Sequence, residues 1–177
     1  PDGATVVGGR VSNRMLALQS SERLITLYGS GACSHAETAA QKRLSDARTH
    51  GDMAALENII EQYPFSVAQE QARLLLARRH FDTREYDAAI EDLEQLLRGG
   101  RRVTRTADAA LGLALAGLRA NRPGVVRNAL VALEKLPAAK ASFAGTTGKA
   151  ADLVRQLRHE LPAAAPSAAE PEPRATT

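Results

Sequence analysis

The side chains able to do chemistry are few in this sequence, and they are scattered. The single cysteine, Cys33, stands close to His35, while His50, His80 and His159 lie far apart along the chain. A metal site needs ligands grouped by sequence or by fold, and Cys33 with His35 is the only close pair. One cysteine also excludes an internal disulfide. The run Gly145-Thr146-Thr147-Gly148-Lys149 has the ending of a phosphate-binding loop. That loop requires a further glycine where Phe143 stands, a hydroxyl where Ala150 stands and a buried strand before it. The run is therefore read as a flexible lead-in to a last helix. The carboxylates Glu91, Asp92 and Glu94 fall on the solvent face of a helix, where charge runs do nothing specific. No nucleophile elbow, zincin motif or dinucleotide fingerprint occurs. No catalytic residue, metal or cofactor is expected, and the chain is read as non-enzymatic.

Arginine offers the one other concentration of chemistry. Arg98, Arg101, Arg102 and Arg105 share a glycine-containing stretch, and four guanidiniums could grip an anion there. Residues 34–97 carry twelve acidic and seven basic side chains, whereas residues 98–162 carry four acidic and twelve basic. The net charge of +3 thus hides an acidic half and a basic half. The basic half is a candidate for an anionic partner. Stacking aromatics, the usual companions of single-strand nucleic-acid binding, are absent near these arginines, so nucleic acid is the disfavoured partner.

The elements that must position these groups are helical. Apolar residues reach 44% but aromatics only 3%, so Ala and Leu dominate the apolar share. Such a composition favours helices over strands. Spacings of three and four predict seven helices. Their apolar stripes are Ala36, Ala39, Ala40, Leu44 and Ala47; Leu56, Ile59, Ile60 and Tyr63; Ala72, Leu75, Leu76 and Ala77; Tyr86, Ala89, Ile90, Leu93, Leu96 and Leu97; Ala110, Leu111, Ala114, Leu115 and Leu118; Val126, Ala129, Leu130, Leu133 and Leu136; and Ala150, Leu153, Val154, Leu157 and Leu161. Gly51-Asp52, Pro64, Gly99-Gly100, the turn at 121–124, Pro137 and Pro162 supply the breaks. Residues 1–34 read differently, as short strand-like apolar runs separated by Gly and Ser, followed by a linker. Residues 163–177 are Ala, Pro, Glu, Ser and Thr without a large apolar side chain, a composition expected to stay disordered. No run of 18 apolar residues predicts a membrane span. No signal peptide is visible either. The chain opens on Pro1, which suggests an excised segment, and the compartment stays open between cytoplasm and periplasm.

The helices repeat. A shift of 34 residues lays Ala54-Ala55-Leu56-Glu57-Asn58-Ile59 on Ala88-Ala89-Ile90-Glu91-Asp92-Leu93, and a shift of 40 lays Ala89-Ile90, Leu93 and Leu96 on Ala129-Leu130, Leu133 and Leu136. The segment from Leu76-Ala77 through Tyr86 to Leu97 resembles the tetratricopeptide repeat. Ala77 and Gly117 stand at its small first-helix position, Ala89 and Ala129 at its small second-helix position, and Tyr86 fills its turn. Two departures are plain: Arg73 replaces the early aromatic, and no proline closes the repeat after Leu97. The resemblance implies a mainly α fold, with three hairpins in a solenoid over 35–162 and the seventh helix as polar-faced cap. It also implies a protein-docking scaffold whose first helices line a concave face. Here that lining would be Gln71, Leu74, Leu75, Arg78, Phe81 and Asp82, then Leu111, Ala114, Leu115, Leu118, Asn121 and Arg122. The implied partner is another protein or peptide. Separately, Arg14-Met15-Leu16-Ala17-Leu18-Gln19-Ser20-Ser21-Glu22-Arg23-Leu24-Ile25 looks like a strand–turn–strand of quinoprotein-type β-propeller blades. That likeness implies the alternative role of a spacer within a larger propeller protein.

Overall fold

A computed structural model describes residues 34–64, 66–98 and 105–161. The strand-like readings over 1–33, the closing Gly99-Gly100, Arg101 and Arg102, and the tail 163–177 lie outside these residues. Within the described residues the protein is mainly α, with seven helices holding 77% of them and one two-stranded sheet. The helices are α1 (Ser34–His50), α2 (Met53–Gln62), α3 (Val67–Asp82), α4 (Tyr86–Arg98), α5 (Thr106–Arg119), α6 (Pro123–Glu134) and α7 (Ala150–Glu160). Strands β1 (Lys140–Phe143) and β2 (Thr146–Lys149) lie between α6 and α7. No helix among the described residues is long and apolar enough to cross a membrane.

The same turn joins α1 to α2, α3 to α4 and α5 to α6. Gly51, Arg84 and Asn121 each follow the helix end with positive φ (64°, 65° and 52°). The next residue then donates its N–H back to the carbonyl five positions earlier: Asp52 to Ala47 at 3.0 Å, Glu85 to His80 at 2.8 Å, and Arg122 to Gly117 at 2.8 Å. This is the Schellman closure, which satisfies the last helical carbonyls and turns the chain within two residues. Each second helix starts at once, Asp52 accepting from the Ala55 N–H and Pro123 occupying the first turn of α6. Pro123 thus belongs to α6 and not to the turn before it. Arg84 takes the left-handed conformation at a cost of roughly 1–2 kcal/mol, where glycine would take it freely.

The chain divides into two compact units with the boundary between Leu76 and Ala77, inside α3, a division that the apolar periodicity of 35–162 does not announce. In the N-terminal unit, Ala40, Leu44 and Ala47 of α1, Leu56 and Ile59 of α2, and Ala68, Ala72 and Leu76 of α3 form one core. Ala36 and Ala39 of the expected stripe are exposed. Glu37 binds this core's ends together. Its carboxylate accepts from the Val67 N–H at 2.9 Å and the Ala68 N–H at 3.3 Å, capping the positive end of α3.

In the C-terminal unit α5 is the central helix, packed by α4, α6, β1 and α7. Its sequence is almost entirely Ala, Leu and Gly, so neighbours can approach on every side. A Cβ at Gly117 would meet Val126 Cγ2 at 3.0 Å and Val125 Cγ1 at 3.2 Å, which is the close α5–α6 contact that a small residue permits. Ala89 and Ala129 are fully buried. Helix α7 lies against α6 and α5 through Ala150, Leu153, Val154 and Leu157, leaving Asp152, Arg155, Arg158 and Glu160 exposed.

The stretch before α7 is a β-hairpin and not a flexible lead-in. Ala144 and Gly145 both have positive φ (46° and 81°), the backbone of a two-residue type I′ turn. The register pairs Phe143 with Thr146 and Ala141 with Gly148. Ala141 and Phe143 are fully buried, so the hairpin is fixed from beneath.

Candidate functional site

The two units treat their helical faces differently, and the C-terminal one is already occupied. Strand β1 lies along α5, with its Ser142 N–H donated to Asp108 Oδ1 at 2.7 Å. Arg78, near the end of α3, donates from Nη2 to the Ser142 carbonyl at 3.1 Å. One residue of extended backbone is thus held from both its donor and its acceptor. Phe143 enters beside it, edge-on to Phe81 with ring centroids 5.6 Å apart. The Arg78 guanidinium lies 5.6 Å from the Phe143 ring centre. Only a glycine on α5 admits this ring, since a Cβ at Gly112 would stand 2.7 Å from two Phe143 carbons. Phe81 meets Tyr86 on its other side at 5.5 Å. Among the described residues the Arg78 Nε is buried with no hydrogen-bond partner, and packing over the ring adds to the hold of the hydrogen bond to Ser142.

In the N-terminal unit a cavity of about 400 Å³ lies between α1 and α3. Gln41, Ser45, Arg48 and Thr49 of α1 line it with Leu44, and Gln71 faces them from α3. The α1 residues recur at three- and four-residue spacing, one face of that helix. Amides, hydroxyls and one guanidinium can both donate to and accept from an extended peptide backbone. A second cavity of about 330 Å³ lies between α1 and α2, where Arg43 reaches Gln62 and sits 5.4 Å from the Tyr63 ring centre.

The expected concave lining does not form one surface. Gln71 alone of the set faces the α1–α3 cavity. Arg78 and Phe81 hold the hairpin. Leu74, Leu111 and Ala114 are buried, so they serve packing and offer no surface, a correction to the expected lining; for Leu111 and Ala114 it follows from the elements packed around α5. Leu75, Leu115 and Leu118 are half-buried, whereas Asp82, Asn121 and Arg122 are exposed. Arg122 pairs with Asp87 at 2.9 Å.

Of the arginine-rich stretch, Arg98 pairs with Glu94 at 3.1 Å and Arg105 lies 3.6 Å from Asp108. Both described arginines therefore have acidic neighbours within one helical turn. His80 Nδ1 is 2.9 Å from Asp92 Oδ2, tying the end of α3 to α4, and His50 Nδ1 is 2.8 Å from the Asp46 carbonyl. Among the described residues no three His, Cys, Asp or Glu side chains are placed to hold a metal ion.

Sequence reasoning passes over Gln41, Ser45, Arg48 and Thr49, although a signal for them exists. They flank the Ala40, Leu44, Ala47 stripe at helical spacing, as the polar margin of a first helix should. Asp108 and Ser142 carry no such signal, because their pairing spans 34 residues. No family model, curated protein or solved structure matches this chain.

Proposed function

We propose that this chain is a non-enzymatic docking module, built of tetratricopeptide-like hairpins, that takes an extended segment of another protein along its first-helix face. The observation that carries the reading is the polar groove between α1 and α3, where Gln41, Ser45, Arg48, Thr49 and Gln71 converge on open space. Groups of this kind recognise backbone amides, and Leu44 lies at the base of the groove beside them. Two features support it. The turn repeated at Gly51, Arg84 and Asn121, with small residues at Ala77, Gly117, Ala89 and Ala129, fits a repeat architecture. The seat of β1 on Arg78 and Asp108 is a worked instance of helices gripping extended backbone through side chains.

The test is a selection of peptides from a random library on the full chain, followed by affinity measurement on variants. Arg48→Ala and Gln71→Ala are expected to weaken the selected peptides by about tenfold, about 1.4 kcal/mol. Val131→Ala, an exposed position on α6, should leave them unchanged. Peptides whose binding ignores both groove substitutions would remove the α1–α3 face from consideration.

A further inference from the structure

The two edges of the hairpin are unequal. In a two-residue hairpin the residues flanking the turn form a hydrogen-bonded pair, and bonded and non-bonded pairs then alternate. Phe143–Thr146 and Ala141–Gly148 are bonded pairs by this rule, and the Ala150 N–H donated to the Ala139 carbonyl at 2.9 Å continues the same alternation. Ser142–Thr147 and Lys140–Lys149 are the non-bonded pairs, whose main-chain groups point away from the partner strand. On the β1 edge the outward groups of Ser142 are satisfied by Asp108 and Arg78. On the β2 edge the outward N–H and C=O of Thr147 and the N–H of Lys149 have no hydrogen-bond partner among the described residues.

Charge marks the same place. Lys140 and Lys149 stand directly opposite each other in the register, and both are exposed. Side chains approach most closely in a non-bonded pair, and like charges there destabilise a hairpin. Neither lysine has an acidic partner among the described residues. A lone edge lysine guards against aggregation, but two facing lysines carry an unfavourable pairing that a nearby carboxylate would relieve. Ser142 and Thr147, whose hydroxyls are 2.9 Å apart, complete this face.

We propose that the β2 edge takes an extended acidic segment of a partner protein as a third strand. The segment's backbone would bond to Thr147 and Lys149, and carboxylates on its exposed face would stand beside Lys149, within reach of the long Lys140 side chain one strand further in. Main-chain bonds supply affinity in such strand addition, and side chains on one face supply selectivity. This site is separate from the α1–α3 groove and stands or falls without it.

The experiment uses the full chain and a fluorescein-labelled peptide in which Glu alternates with Val and Thr. Anisotropy should report binding that falls about tenfold or more in Lys140→Gln/Lys149→Gln, and equally when the peptide's Glu is replaced by Gln. Thr147→Pro removes an outward N–H of the β2 edge and should abolish binding. Should that variant fail to fold, hydrogen exchange on the unaltered chain decides, because saturating peptide must slow the Thr147 and Lys149 amides. Unchanged exchange at those amides, or equal binding of a peptide with Pro at alternate positions, would overturn the proposal. Equal competition by inorganic polyphosphate or a random oligonucleotide would assign the lysines to plain anion attraction and overturn it as well.

Discussion

Helices α1 and α5 each open a hairpin closed by the same turn, yet three of seventeen residues are buried in α1 and nine of fourteen in α5. Polar residues on the groove side of α1 keep that face solvated, so it needs no cover. The α5 sequence is apolar nearly all round, and a helix of that kind must be covered on every side. The chain meets this need with β1, which brings Phe143 onto Gly112 and pins its backbone to Asp108 and Arg78. One local architecture therefore yields an open polar face in one unit and a filled one in the other. Side-chain composition of the first helix decides which.

Removing the cover should have the largest effect. Phe143→Ala empties a fully buried site and is expected to destabilise the C-terminal unit by about 3–5 kcal/mol, read as a lower denaturation midpoint. Hydrogen exchange should show the loss in α5 and the hairpin and spare α1 and α2. Uniform loss across both units would break the comparison. Next in size, Asp108→Ala leaves the Ser142 N–H unpaired against α5 and should cost about 1.5–3 kcal/mol. Asp108→Asn keeps an acceptor in place and should recover part of that. If both variants match the parent protein in urea unfolding, the pinning of β1 is incidental.

A smaller change, of opposite sign, is expected at the shared turn. Arg84→Gly relieves the left-handed strain and should stabilise by about 0.5–1 kcal/mol, because glycine's added freedom in the unfolded chain offsets part of the gain. Asn121→Gly should gain less, since Asn tolerates this conformation better than Arg. A drop in melting temperature for Arg84→Gly would mean that the arginine side chain contributes more than its backbone costs. Smallest of all, Gln71→Ala and Thr49→Ala on the open face should shift stability by under about 0.5 kcal/mol, as surface substitutions do. A loss above about 1 kcal/mol at either position would show that the α1–α3 face is part of the core, erasing the contrast with α5.

Much of the fold was legible in local pattern. Apolar spacing fixes the seven helices, Gly51-Asp52 marks the first turn, and the small residues at Gly117 and Ala129 announce a close helix pair; each signal lies within about one helical turn. The polar margin of α1 was legible too, once the first helix is asked which face it leaves to solvent. The hairpin was not. Lys140-Ala141-Ser142-Phe143 and Thr146-Thr147-Gly148-Lys149 are short, carry weak alternation and turn through Ala144-Gly145, where Ala is a poor residue for positive φ. Arg84 gave no warning of its left-handed backbone for the same reason. Nor could periodicity separate a lining leucine from a buried one, so Leu74, Leu111 and Ala114 appeared as surface until the structure covered them. The sequence by itself determined where the chain coils, because helix formation is governed by neighbours three and four residues away. Only the tertiary structure decided what covers the apolar face of α5, because the cover is a strand arriving from 34 residues downstream, and no local signal records a contact made at that distance.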